Sequence, residues 1–327
     1  MARMTTTIAL SQLSPDSSAR RAFAQAMREL QLKAIRADAV LATAPLGTSA
    51  RRRLIHDCRA VLGASRMQPG TAAALRGPLL TSPVANPKLA KDSQVPIWSL
   101  SLAPAAQSGE WHVCPGSTPA CEAGCLGWYS GHSGMTLGDN PVRRARRART
   151  RALMDSGTQL YALILLRHEL QTAADRAGGQ IAVRLNAFSD IPWETAWPAL
   201  FNDPVLADVL WYDYTKLPGR RPPKNYRLTM SWTPQLDRAA GDWLSQGHNV
   251  AMVFGVRRPE DLPRQWRGWP VLDGTVSDAR WTDPAGHIVG LTWKASRNWA
   301  ASCQAAQVSG WVVDPYSTAA NVPLGVA

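Results

Sequence analysis

Tyr226-Arg-Leu-Thr-Met-Ser231, then Thr233-Pro-Gln-Leu-Asp-Arg-Ala-Ala-Gly-Asp-Trp-Leu-Ser-Gln-Gly247, then Val250-Ala-Met-Val-Phe254, predicts a strand, a helix and a second strand. The outer pieces are short apolar runs bounded by turn residues. Between them Leu236, Ala240, Trp243 and Leu244 recur at helical spacing, opened by Thr233-Pro234 and closed by Gly247. The same rhythm extends in both directions. Upstream, a helix over 158–177 stops at Gly178-Gly179 before Ile181-Ala-Val-Arg-Leu-Asn186, and a short helix over 193–201 precedes Val209-Leu-Trp-Tyr-Asp-Tyr214. Downstream come Pro270-Val-Leu-Asp273 and His287-Ile-Val-Gly-Leu-Thr-Trp293, and the alternating Trp98-Ser-Leu-Ser-Leu102 supplies a seventh strand. Strands alternating with helix-sized segments predict a parallel α/β architecture, a complete or partial (β/α) barrel or an open sheet.

The beginning of the chain reads differently. Residues 14–41 form an amphipathic helix with Phe23, Met27 and Leu30 on one face and Ser14 or Asp16 as cap; a second helix covers 49–62 and carries Arg51-Arg-Arg53. No recognition-helix pattern stands out, so residues 1–80 are expected to be a helical extension running into a Pro/Gly-punctuated linker over 68–96. Residues 81–327 are the barrel-like domain. At 327 residues and 45% hydrophobic, the chain can bury one sizeable core and a smaller second unit. The start lacks the apolar stretch of a secretion signal, and the longest apolar run, Leu160 to Leu166, is too short to span a bilayer, so a cytoplasmic protein without a membrane partner is expected.

Three of the five cysteines lie in Cys114-Pro-Gly-Ser-Thr-Pro-Ala-Cys121-Glu-Ala-Gly-Cys125, after the first strand of the domain. Cys121 and Cys125 can face one point from a single turn. Pro115, Gly116 and Pro119 can bring Cys114 back to it. Three thiolates without an evident fourth ligand suit an iron–sulfur cluster with one open iron; zinc would need a fourth donor from His112, His132 or Cys303. A chance grouping of small buried residues is the bland alternative, and an odd cysteine count without a signal argues against a disulfide scaffold.

The formal charge of +12 favours an anionic partner, and half of that excess lies in one run, Arg143, Arg144, Arg146, Arg147, Arg149 and Arg151. On a helix these positions cover most of the circumference, so the run is expected to stay unburied and available to nucleic-acid or nucleotide phosphates. An ordinary solvated helix is the competing reading. In a barrel the chemistry lies at the carboxyl ends of strands. That rule selects Asn186, Asp190, Tyr214, Thr215, Lys216, Ser231, Asp273, Asp278 and Lys294, on the same rim as the cysteine loop. Each could equally be a turn former or cap.

The runs Asn86-Pro-Lys-Leu-Ala-Lys91 and Val95-Pro-Ile-Trp-Ser-Leu100, the cysteine loop, Arg184-Leu-Asn-Ala-Phe-Ser-Asp190, Tyr212-Asp-Tyr-Thr-Lys216 and Tyr226–Ser231 together resemble the phage gene product 88 family over residues 86–232. The chain departs from that pattern at Leu126, where the family has Tyr after the third cysteine, at Asn186 for His, and at Phe188-Ser189 for Ser-Gly. The cysteine loop after the first strand is similar in placement to that of radical S-adenosylmethionine enzymes, whose cysteine spacing differs. The resemblance implies an enzyme holding a [4Fe–4S] cluster on Cys114, Cys121 and Cys125. S-adenosylmethionine would bind at the open iron, the rim residues would hold cofactor or substrate, and an electron donor would be a partner. The substrate class is open, nucleic acid or nucleotide if the arginines approach the mouth. The alternative is a zinc-stabilised nucleic-acid-binding protein of phage replication or regulation. Its rolling-circle nuclease version lacks the paired strand histidines such sites need, and a ligand-free structural protein is a third reading. No residue is singled out as catalytic.

Overall fold

The computed structural model describes residues 18–64, 77–83, 95–129, 140–178, 180–294, 299–317 and 324. In chain order it contains α1 (Ser18–Ala42), α2 (Ser49–Ala64), β1 (Leu80–Thr81), β2 (Ile97–Leu100), α3 (Pro119–Ala123), α4 (Leu126–Tyr129), α5 (Pro141–Met154), α6 (Gln159–Ala177) and β3 (Ala182–Arg184). These are followed by α7 (Trp193–Ala196), β4 (Leu210–Thr215), β5 (Tyr226–Ser231), α8 (Asp237–Ser245), β6 (Asn249–Phe254), β7 (Gln265–Trp266), β8 (Trp269–Asp273), β9 (Ile288–Thr292) and α9 (Trp299–Val308).

The strands form one nine-stranded sheet in the order β1-β2-β3-β4-β5-β6-β9-β8-β7. Every pairing from β2 through β9 to β8 is parallel, and only the edge pairs β1–β2 and β7–β8 are antiparallel. All seven strands expected from the sequence are present. The two added edge strands are two residues each, too short to show an alternation. The sheet is open, so a complete barrel is not formed by the described strands. Two short antiparallel strands end the ladder instead of pairing with each other.

Side chains alternate across the sheet as strand geometry requires. Trp211, Leu228, Met230, Val250, Met252, Phe254 and Ile288 join the large core beneath the helices. Ile97, Ala182 and Tyr212 face the other way and are covered by Trp281, whose ring meets Tyr212 edge-on at 5.2 Å. Burial on both faces explains why the strands read as nearly continuous apolar runs. Because the central strands are parallel, their carboxyl ends share one edge.

The amino-terminal helices belong to the same core. Phe23, Ala26, Leu30, Ala34, Ala37 and Leu41 are buried at three- and four-residue intervals along α1, and Ile55, Cys58 and Leu62 along α2. Polar ties reinforce this: Arg167 on α6 pairs with Asp38 of α1 and, at 2.8 Å, with Asp203, while Trp197 donates to Asp38 at 3.0 Å. Residues 84–94, with the Asn86–Lys91 run, and residues 1–17, with the expected cap, lie outside the described residues. No helix among the described residues is long and apolar enough to cross a membrane.

Leu30 is fully buried in the shared core. Leu30→Ala should cost about 3 kcal/mol and lower the midpoint of a single urea transition; an unchanged main transition would mean that α1 unfolds separately from the sheet.

Candidate functional site

The cysteine loop is folded against the carboxyl edge of the sheet by its own backbone. After β2 the chain is pinned by the Ala103 N–H, which donates to Thr150 Oγ1 at 2.9 Å, and returns where the Val113 N–H donates to the Ala105 carbonyl at 3.1 Å. The Ser117 N–H closes a turn on the Cys114 carbonyl at 2.9 Å, and Thr118 caps α3 by accepting from the Cys121 N–H at 3.2 Å. Gly116 makes the approach to β4 possible, since a Cβ there would lie 2.8 Å from the Lys216 carbonyl oxygen. The outer side is held by α1: the His112 N–H donates to the Ala19 carbonyl at 3.1 Å, and Arg20 donates to the Pro115 carbonyl. His112 Nε2 and Ser117 Oγ share Glu122 Oε1 at 2.9 and 2.6 Å, and the His112 bond chiefly holds the Glu122 carboxyl below its usual range.

All three thiols are drawn into this fold. The Ala105 N–H donates to Cys114 Sγ at 3.3 Å, and Cys114 Sγ faces the Phe188 carbonyl at 3.4 Å. Burial raises the pKa of each: Cys114 well above the ordinary thiol range, Cys125 to about 11, and Cys121 upward. After burial, Cys121 and Cys125 add to the rise at Cys114, and Cys121 adds to it at Cys125. Two cations oppose the rise, Lys216 at Cys121 and Arg146 at Cys125. The thiols are therefore protonated at neutral pH and would yield those protons to a bound metal.

Among the described residues no group of three or more His, Cys, Asp or Glu side chains is disposed to hold a single metal ion. An iron–sulfur cluster takes its thiolates at separate irons rather than at one centre, and three neighbouring thiols flanked by cations fit that donor chemistry. Of the fourth-ligand candidates, His112 is engaged by Glu122, Cys303 lies in a separate apolar cluster with Trp293 and Val312, and His132 is outside the described residues.

The rim residues divide by their partners. Asp190 and Lys216 meet the cysteine loop directly: the Asp190 N–H donates to the Val113 carbonyl at 2.9 Å, and its carboxylate accepts from Thr215 Oγ1 and the Lys216 N–H at 2.8 and 2.7 Å. Lys216 Nζ then reaches Ser231 Oγ at 2.7 Å. Asn186 is internal. It donates to Asp213 from its backbone and its amide, and its carbonyl accepts from Ser189 Oγ and the Ile191 N–H. Tyr214 lies on the opposite face from Asp213, under the Arg184 guanidinium at 4.8 Å, where burial raises its phenol pKa. Asp273 folds back on Thr275 of its own turn, and Lys294 is exposed beyond β9, on the same edge but several strands away.

Sequence reasoning missed Arg220, fully buried between Asp190 at 3.3 Å and Glu194 at 2.5 Å, because a Pro/Gly-rich loop gives no periodic signal. A cleft of about 240 Å³ opens beside α3, lined by Thr118, Ala120, Thr233, Gln235, Ser309 and Trp311. A larger cavity of about 360 Å³, bounded by Gly178, Gln180 and Asp208, lies at the opposite end of the strands and has no part in the site.

The model of the family described as Gene product 88 matches residues 78–309. The chain belongs to the Gene product 88 family. Neither a curated protein nor a solved structure matches it. The Gene product 88 region takes in the whole sheet, the cysteine loop and the arginine helix, and leaves α1 and α2 outside.

Within the Gene product 88 region the arginine run corrects an expectation. Its six arginines are half-buried along α5, not solvated all round. Arg143 and Arg147 lie over the Trp128 ring at 4.9 and 5.0 Å, and Arg146 over Phe188 at 4.2 Å. Arg143 also donates to the Trp128 carbonyl at 2.8 Å, Arg147 to that of Gln107 at 3.0 Å, Arg149 to Pro78 at 3.2 Å and Arg151 to Ser108 at 3.4 Å. Guanidinium offers five donors and a stacking plane, so a helix written in arginine can be fastened to loops and rings. Arg144 shares the half-buried environment.

Asp213 provides a pH signature for the framework. Burial raises its carboxyl to about 6 despite the hydrogen bond from Tyr226. Its unfolded counterpart ionises near pH 4, so between about pH 4 and 6 the folded chain keeps a proton that the unfolded chain has lost. This component of stability is present below the window and disappears as pH rises through it. Asp213→Asn should remove that part of the slope in urea titrations across the window; an unaltered slope would contradict the assignment.

Proposed function

We propose that the chain is a phage-type iron–sulfur enzyme of radical S-adenosylmethionine-like layout, with the sheet from β2 to β9 acting as a partial (β/α) barrel. The observation that carries this reading is the placement of the loop bearing Cys114, Cys121 and Cys125 at the carboxyl ends of the parallel strands, with Cys114 Sγ on the Phe188 carbonyl and Gly116 against Lys216. A [4Fe–4S] cluster on these cysteines would, when bound, supply one-electron chemistry and an open iron for S-adenosylmethionine.

The chain's own part is positioning and shielding. Gly116 lets the loop close on the end of β4, Thr118 fixes the turn carrying Cys121, and Asp190 clamps the backbone before Cys114 to the backbone of Lys216. Lys216 and Ser231 are the polar groups available to orient a ligand above β4 and β5. The cleft beside α3 is the proposed entry for substrate. The arginine helix contributes less to a nucleic-acid reading than its sequence suggested, since its side chains are spent on Trp128, Phe188 and loop carbonyls.

Anaerobic purification with absorption spectroscopy and iron, sulfide and zinc analysis tests the proposal. The expected result is a brown protein with about four irons per chain, from which Cys→Ala at 114, 121 or 125 each removes the cluster. One zinc and no colour would transfer the weight to a zinc-stabilised nucleic-acid-binding protein, and full iron and sulfide in any of the three variants would remove that cysteine from the ligand set.

A further inference from the structure

Arg146 is half-buried on α5, with its guanidinium 4.2 Å above the Phe188 ring. Phe188 is seated by Gly127, where a Cβ would stand 2.3 Å from Phe188 Cδ1, and its carbonyl lies 3.4 Å from Cys114 Sγ. Arg146 Nη1 is buried without a hydrogen-bond partner, and the charged or titratable groups acting on the guanidinium are Cys125 and Arg149, with no carboxylate among them. The nearby acids are already answered: Asp190 by Arg220 and the Lys216 N–H, and Glu122 by His112 and Arg20. A guanidinium nitrogen held out of water without a partner is costly unless negative charge compensates it. Three thiols that lose their protons to a metal leave such charge at this point.

We propose that Arg146 is the built-in counter-ion of the three-cysteine site and sets the reduction potential of the cluster held there, an inference that rests on the iron–sulfur reading above. Phe188 backs the guanidinium, and Lys216 is the cation that acts on Cys121. Reduction adds one negative charge to a buried cluster, so a fixed cation beside it stabilises the reduced form more than the oxidised form. Loss of that cation makes the potential more negative.

The experiment is a spectroscopically monitored redox titration of the reconstituted full-length protein, comparing wild type with Arg146→Met, Arg146→Lys and Arg176→Met. Arg176 is exposed at the end of α6, near the amino ends of the strands, and serves as a remote control for net charge. A midpoint shifted to more negative values in Arg146→Met, largely restored in Arg146→Lys and unshifted in Arg176→Met, is the expected result. Iron lost from Arg146→Met but kept by Arg146→Lys would support the same assignment, because charge alone separates the two. A wild-type midpoint in an iron-replete Arg146→Met protein, or equal iron loss in both Arg146 variants, would overturn the counter-ion role while leaving the cluster standing. A wild-type protein that accepts no iron would overturn the inference together with the reading beneath it.

Discussion

Asp190 is buried where its own segment meets two others that are far apart in sequence: its N–H goes to the cysteine loop, and both carboxylate oxygens go to residues 215–220. Its N–H holds Val113 next to Cys114, one carboxylate oxygen takes Thr215 Oγ1 and the Arg220 guanidinium, and the other takes the Lys216 N–H. Removing the carboxylate would leave Arg220 with Glu194 and the Tyr226 hydroxyl, and would leave the Lys216 N–H and Thr215 Oγ1 without this acceptor. Desolvation raises the Asp190 pKa in spite of these partners. The tie therefore serves geometry at a cost in stability, as buried ionic groups generally do. The positions of the three thiols, of Lys216 and of Ser231 follow from it.

The frame around that tie was legible where local periodicity and global packing agree. The Tyr226–Phe254 unit shows both: Thr233-Pro234 and Gly247 mark where the helix lies, and the flanking runs are apolar because both faces of a parallel sheet are covered. The edge strands β1 and β7 left no trace, since two residues carry no alternation and their pairing is decided by β2 and β8. Openness of the sheet was illegible for the same reason. Closure depends on the register and tilt of every strand, whereas a helix-strand rhythm reports only their order.

The site was legible as composition and obscure as geometry. Clustered cysteines are conspicuous in a chain that has few, and the strand-end rule located Lys216 and Ser231, which do form a pair. The same rule could not distinguish Asp190, which braces the loop, from Asn186, which is consumed in satisfying Asp213, or from Asp273, which only shapes its own turn. All three lie at or just after the carboxyl end of a strand and before a turn, and what separates them is whether another segment brings a partner. Arg220 makes the point from the other side, as it lies in a loop without pattern and becomes essential only once Asp190 and Glu194 are placed beside it.

Charge was the least legible property because a count of arginines does not say what they neutralise. Six of them account for half of the +12, yet α5 turns five of these toward indole and phenyl rings or toward loop carbonyls, where they act as long, multidentate fasteners. Such packing leaves the six arginines half-buried and stacks one guanidinium, Arg146, on Phe188, whose carbonyl faces Cys114. The thiols there are held protonated by burial. A metal taken up here would have to displace those protons. Arg146 and Lys216 favour the thiolate state that a metal requires, and desolvation favours the thiol. In this loop desolvation outweighs the two cations, a balance that cysteine spacing alone does not report.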